Sequence, residues 1–157
     1  MEGSKLAREA VIGDILSIAE NMREADRNEV WASHRHTPLK AVISSFQQSS
    51  LVWTIHHKGF PVAMFGVASQ GALCDVGYPW LLGTDKMSNI TIEFLRFSRY
   101  YVQQMLAGFR MLENWVDARN EKSMKWLQWC GFELEEPAPW GFDNLPFSHF
   151  TMEQKNV

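Results

Sequence analysis

Asn120-Glu121-Lys122-Ser123-Met124-Lys125-Trp126-Leu127-Gln128-Trp129-Cys130-Gly131-Phe132 is the stretch on which the fold turns. It reads as a short helix from Asn120 to Cys130. Asn is a good N-cap residue, and Gly131 supplies the left-handed position that closes many helices. Immediately upstream, Met111 to Val116 reads as a strand, and Gly108 ends a long helix expected from about Ser88 to Ala107. Ile92, Leu95, Tyr101, Val102, Met105 and Leu106 form the inward stripe of that helix. Before it, Gly83-Thr84-Asp85-Lys86 breaks a strand that ends at Tyr78-Pro79-Trp80-Leu81-Leu82.

Further out, Leu51 to Ile55 reads as a strand, Lys58-Gly59 as a turn, and Pro61 to Ala68 as its hairpin partner. Pro61 can stand only at a strand start or on an unpaired edge. Thr37-Pro38 opens a helix, with Thr as cap and Pro in the tolerated first turn. Lys5 to Ala10 is a candidate first strand, and Asp14 a candidate N-cap for the run behind it. In that run Ile15, Ile18, Ala19, Met22, Ala25 and Val30 form one stripe, and Glu20, Arg23, Asp26 and Arg27 fill the other face. Downstream, Phe132 to Met152 carries Pro137, Pro139 and Pro146 and predicts a final hairpin. The element order is β-α-α-β-β-β-α-β-α-β-β. It predicts an α/β (α+β) class, with a mixed, twisted sheet of six to seven strands and about four helices on both faces. No linker or repeat divides residues 1–157, so one domain is expected.

Composition narrows the function. Of 157 residues, 21% are charged and 46% hydrophobic, which excludes wholesale disorder. A formal charge of −3 argues against a broad nucleic-acid surface. No apolar run approaches a membrane span, and Met1 to Lys5 has no apolar segment behind it, so no signal peptide is expected. Cys74 and Cys130 lack metal or redox spacing and read as reduced thiols, Cys130 as an inert core group. His34-x-His36 reads as a solvated loop without a ligand set, so no metal is expected. His56 and His57 point to opposite strand faces. Arg23, Arg27, Arg35 and Lys40, interrupted by Glu24, Asp26 and Glu29, read as a solvated face.

The stretch from Asn120 to Phe132 resembles the final motif of the GNAT superfamily, the GCN5-related N-acetyltransferases. There an Asn is followed by a small residue, a hydrophobic residue, a Tyr and then Gly-Phe. Arg8-x-Ala10 with Asp14 resembles the superfamily's opening. Three further segments resemble a narrower group, the GNAT-like relatives of the internal virion protein A of short-tailed, T7-like phages. They are Asn21-Met22-Arg23-x-x-Asp26, Pro79 to Asp85, and Asn114 to Asn120. The resemblance implies a GNAT-like fold and a phage or prophage protein acting in virion assembly or as an internal virion component. Its partners would be phage structural or host proteins, and its location the host cytoplasm or the virion. The alternative it implies is an active acyl-CoA-dependent N-acetyltransferase modifying a host or phage protein, with acetyl-CoA or CoA as cofactor.

By that resemblance, Trp80-Leu81-Leu82 and Asn114-Trp115-Val116 would be the two strands that splay around pantetheine. The same segments also read as ordinary central strands. Lys86, Ser88 and Asn89 are the candidates for the pyrophosphate, since phosphate sites need small residues and amides at a helix N-terminus. Asp85 would repel phosphate, no glycine follows Gly83, and Asp85 or Ser88 as a plain helix cap is the competing reading. Asn120 and Ser123 are the remaining cofactor candidates. The family's Tyr acid falls on Leu127, which has no proton to give. Asp75, Tyr78 and Asp117 are the candidate proton-handling residues, with His149 from the tail as a further base. Trp80, Trp115, Trp126 and Trp129 all fall on elements around this cleft, where they would either shape a pocket or plug it.

Overall fold

The computed structural model describes residues 7–155, so Met1 to Lys5 and the beginning of the expected first strand lie outside the described residues. The element order is β1 (Ala7–Glu9), α1 (Ile12–Glu20), α2 (Glu24–His34), α3 (Pro38–Gln48), β2 (Ser49–His57), β3 (Phe60–Ala68) and β4 (Val76–Gly83). A 3-10 helix (Asp85–Ile90) leads into α4 (Thr91–Leu106). Then follow β5 (Met111–Asp117), α5 (Glu121–Cys130), β6 (Glu133–Leu134), β7 (Ala138–Trp140) and β8 (Leu145–Glu153). The strands form one sheet in the order β1-β2-β3-β4-β5-β8-β6, with β7 also on β8. Every described pair is antiparallel except β4–β5. The mixed sheet is thus as expected, with eight strands rather than six or seven and five α-helices rather than four.

The two faces carry separate cores. Ile18, Met22, Val42, Met64 and Leu82 pack α1 and α3 on one side. On the other, Tyr101, Val102, Leu112, Leu127 and Phe150 pack α4 and α5. Among the described residues, no helix is long and apolar enough to cross a membrane.

The deciding stretch behaves as its sequence predicts. The Asn120 side chain accepts from Ser123 N–H, and Gly131 sits at φ 102° with its N–H on Gln128 O and Phe132 N–H on Leu127 O. That paired closure needs a left-handed residue, which glycine adopts without a Cβ clash. Thr37 likewise caps α3, accepting from Lys40 N–H with Pro38 in the first turn. Pro61 lies at a strand start, opposite His56 across a register shift.

Several expectations fail for reasons of tertiary structure. The apolar run from Ile15 to Val30 is two helices, not one. Met22 bridges Thr84 and Arg23 N–H donates to Gly83 O, which pulls the chain out of helix at Asn21–Arg23. Arg27 then turns back, giving Nε to Met22 O and a terminal nitrogen to Ala19 O and Glu20 O, so it satisfies the end of α1. Asp14 is not the N-cap but sits in the first turn, where it accepts from Val11 N–H and from Thr54 Oγ1. Burial pushes its carboxyl up, but these bonds and Arg8 outweigh it and hold the carboxyl below the usual range. Asp26, assigned to a solvent face, is 1% exposed. The long helix begins at Thr91, because Asp85 to Ile90 winds as a 3-10 helix. The tail forms the expected hairpin as β7–β8 and adds one more short pairing, β6 on β8.

Candidate functional site

β4 and β5 are held together only at Val76–Met111 and Gly77–Leu112. Beyond that point they diverge while each stays bonded to its outer neighbour, β3 or β8. A parallel pair that opens this way leaves a V in the middle of the sheet, with strand edges facing it from both arms. Gly77 stands at the vertex, where a Cβ would fall within 3 Å of Phe109, Val67 and Leu112 side chains. Asn114 staples the first step of the opening. Its Nδ2 donates to Pro79 O at 3.0 Å across the gap, and its Oδ1 accepts from Trp115 N–H at 2.9 Å. Pro79 has no N–H to offer, so the vertex is internally satisfied, and beyond it Leu81 turns its backbone groups toward the gap, on the side that Pro79 and Gly83 also face.

The V opens into a cleft of about 670 Å³ that passes from one face of the sheet to the other. Trp80, Leu81 and Leu82 line it, as do Trp115, Val116 and Ser123. Trp126 flanks it from α5, with Nε1 on Ser98 Oγ at 2.9 Å and its ring stacked on Phe94. The rings therefore shape the opening and do not fill it. Trp129 is not among them. It is 46% exposed, with Nε1 on Leu95 O and Arg99 over its ring. Trp140 from β7 takes its place in the wall, stacked on Trp115 at 5.1 Å and 10°. His34 and His36, read as a solvated loop, also reach this wall with rings 5.4 Å apart. Burial, the first cause for each, lowers both imidazoles and so favours their neutral form.

At the open end of the V lies a group that sequence reasoning missed. Glu29, on α2, accepts from Asp117 N–H at 2.7 Å and lines the cleft. Burial, then the neighbouring Asp26 carboxylate, push its carboxyl up to about 8. Asp26 is held by Arg23 through two bonds of 2.9 and 3.0 Å and by Gly83 N–H at 2.8 Å. Burial raises its carboxyl, against the pull of Arg23. Asp117, 2% exposed, is bound by Arg119 at 2.6 Å. Asn120 lies beneath the start of α5, 7% exposed. Its Nδ2 favours the charged form of Asp26 yet has no hydrogen bond of ordinary geometry. The signal that could have found Glu29 is its place three residues after Asp26. A helix interrupted at Asn21–Arg23 turns that face toward the sheet.

The other candidates divide clearly. Tyr78 lines the cleft near the vertex, and burial, then Glu113, raise its phenol above the usual value. Four residues of strand, roughly 13 Å, separate the level of Tyr78 from Asp117 and hence from Glu29. Tyr78 and Glu29 thus line the same cleft from levels near its vertex and its open end. Asp75 is removed from the cleft, paired on the surface with Arg110 at 2.9 Å. His149 packs on Trp115 between Glu113 and Glu135, each 3.2 Å away, behind the cleft wall. Leu127, where the family resemblance places an acid, is buried in the wall.

The residues fit an acyl-pantetheine arm better than they fit its diphosphate. The arm needs free strand edges and an apolar slot, and both are present. The diphosphate needs open amides after β4. Here the chain after β4 turns directly into a 3-10 helix, whose Met87 N–H is taken by Thr84 O, and no glycine follows Gly83 there. Met87 Sδ and Arg23 occupy the space a Gly83 Cβ would take. Lys86 lies over the Phe60 ring at 4.0 Å, Ser88 Oγ bonds Asp85 O, and Asn89 is exposed on the same helix, so none of the three lines the cleft.

No protein-family model matches the chain, and no curated protein matches it. Solved structures do. An N-acetyltransferase from Staphylococcus aureus aligns over 95% of this chain and 98% of its own, with TM-score 0.73 and 17% identity. A GNAT superfamily phosphinothricin acetyltransferase from Sinorhizobium meliloti, solved with AcCoA, aligns over 100% and 94%, with TM-score 0.71 and 16% identity. A GNAT-family acetyltransferase from Streptococcus pneumoniae aligns over 96% and 99%, with TM-score 0.68 and 15% identity. The likeness is one of fold, and that fold is the one GNAT acetyltransferases share.

Proposed function

We propose that this GNAT-fold chain is an acyl-CoA-dependent N-acyltransferase whose acyl arm enters the V between β4 and β5. The carrying observation is the open cleft at that splay with Glu29 at its end. Bound acetyl-CoA supplies an activated thioester. The chain's own part is to hold the arm along Trp80-Leu81-Leu82, to exclude water with its indole walls, and to take a proton from the attacking amine onto Glu29. A carboxyl titrating at about 8 suits that task, since a base works best when its pKa lies near the working pH. Asp117 and Asn120 act through Glu29 and Asp26, as positioning residues. The departing thiolate receives no proton from Leu127 and leaves unassisted.

A melt with and without excess acetyl-CoA tests the reading. Ligand at 100 times its dissociation constant adds about 2.7 kcal/mol. Release of free thiol in the presence of amines then tests turnover. No melting shift at millimolar acetyl-CoA sinks the reading.

The second reading, a phage or prophage protein acting in virion assembly or inside the particle, is favoured by the three segments that resemble the virion-protein group and by Leu127. In it the cleft holds an acyl-CoA structurally or recognises a phage or host protein in the host cytoplasm. Mass spectrometry of purified particles is its test, and absence from them rejects packaging.

A further inference from the structure

The open end of the cleft has an unbalanced charge. Three carboxylates meet there, Asp26, Glu29 and Asp117, with only two guanidinium partners. Arg23 is committed to Asp26 and Arg119 to Asp117. Glu29 accepts a hydrogen bond only from the Asp117 amide, and Arg23 and Arg119 act on it through space from their own pairs. The cleft wall offers no replacement, because neither Lys nor Arg lines it among the described residues. The cleft that Glu29 lines is also walled by Trp80, Trp115 and Trp140, with the imidazoles of His34 and His36 and a few hydroxyls.

We propose that the acceptor is a small primary amine on an apolar or aromatic body, with no carboxylate or phosphate of its own, bound as ammonium by Glu29. The inference rests on the acyltransferase reading and narrows its substrate class. Without ligand, a proton on Glu29 neutralises the cluster. An ammonium supplies the missing third cation and lets that proton go. An acid group on the same molecule would be set beside the Glu29 carboxylate with no Lys or Arg on the cleft wall to meet it, a like-charge contact that disfavours binding. Amino acids and phosphorylated amines are thereby selected against, and the indole walls favour an apolar remainder. The bound ammonium first gives one proton to Glu29, which frees the nitrogen lone pair to attack the thioester carbon. The C–N bond then forms as C–S breaks, the electron pair leaves on sulfur, and the released thiolate takes the nitrogen's second proton.

Calorimetry on the full chain without any acyl donor tests this, with 2-phenylethylamine, phenylalanine and 3-phenylpropionate as probes. The amine is expected to bind at least about tenfold more tightly than phenylalanine, and the carboxylate alone not at all. Glu29→Gln is expected to weaken the amine about tenfold or more. For the wild type, the heat in buffers of different ionisation enthalpy is expected to report proton release on binding. Phenylalanine binding as tightly as the amine, or phenylpropionate binding best, overturns the proposal. So does the absence of amine binding up to about 10 mM in protein that acetyl-CoA stabilises. An amine that binds with proton release but is never acylated supports the acceptor class and rejects the acyltransferase reading.

Discussion

Replacing Glu29 by glutamine keeps the shape of the side chain and the acceptor for Asp117 N–H, and removes only the ionisation. In the folded chain the carboxyl titrates at about 8 against a usual 4.5. Folded protein therefore holds a proton that the unfolded chain releases once the pH passes about 4.5. Wild-type stability falls as the pH climbs from there to about 8, and is flat beyond, where both states are ionised. At about 1.4 kcal/mol per pH unit the upper bound on this loss is about 5 kcal/mol. Glu29 is only half-buried at the cleft wall, so solvent screening brings the expected value to about 2–3 kcal/mol. For a domain of this size each kcal/mol moves the melting temperature by about 2–4 °C. Glu29→Gln is thus expected to melt about 5–10 °C above wild type at high pH, with the gap closing as the pH falls toward about 5. The same variant is expected to lose about 10²–10⁴ in acyl transfer. Calorimetric or circular-dichroism melts of both proteins across the range supply the comparison. A constant difference at every pH, or a wild type that gains on the variant as pH rises, refutes the assignment of an uncompensated buried acid.

The lack of a glycine loop after Gly83 predicts that acetyl-pantetheine stabilises the protein to within about tenfold of acetyl-CoA, and that Lys86→Ala leaves acetyl-CoA affinity unchanged in titration calorimetry. Asp75→Asn breaks an exposed pair with Arg110 far from the cleft, so acyl transfer and acetyl-CoA binding are expected to stay at wild-type values. Burial pushes the Cys130 thiol up to about 12, whereas Cys74 is half-exposed. Alkylation near neutral pH, read by mass spectrometry, is expected to label Cys74 alone in native protein and both thiols after unfolding.

The parts legible in the sequence are those fixed by neighbours along the chain. Asn120 and Gly131 bracket α5 because capping is a local bargain between a side chain and the nearest amides and carbonyls. Thr37-Pro38 opens α3 for the same reason. The alternation of strands and helices around them was enough to give the mixed sheet. The errors fall where distant backbone overrules local pattern. The apolar stripe continues unbroken through Met22, yet the helix ends there because Thr84 and Gly83 bond to Met22 and Arg23. Once α2 is set at its own angle, Asp26 and Glu29 face the sheet. A face read as solvated then becomes the polar centre of the site. Asp75 and Lys86 carried the right chemistry next to β4, but one stands just before the strand, paired with Arg110, and the other lies on the 3-10 helix over Phe60, both outside the cleft.

The three segments that resemble the virion-protein group lie far apart in sequence and meet at one place. Asp26 from the first accepts from Gly83 in the second and faces Asn120 in the third. Asn114 in the third staples Pro79 in the second. A purely structural GNAT fold has no need to keep its central strands parted, because closing them would satisfy more backbone groups. Here the parting is built in: a proline at the start of the free β4 edge, an asparagine side chain standing in for a ladder bond, and a buried acid cluster wedged at the far end. Asn114→Leu therefore separates the two uses of the fold. It removes the staple and leaves Pro79 O and Trp115 N–H without partners, at a cost of about 1–3 kcal/mol. If the V serves an acyl arm, the variant's remaining folded fraction is expected to bind acetyl-CoA more weakly, read by titration calorimetry. Unchanged affinity in a destabilised Asn114→Leu protein contradicts the placement of the arm between β4 and β5.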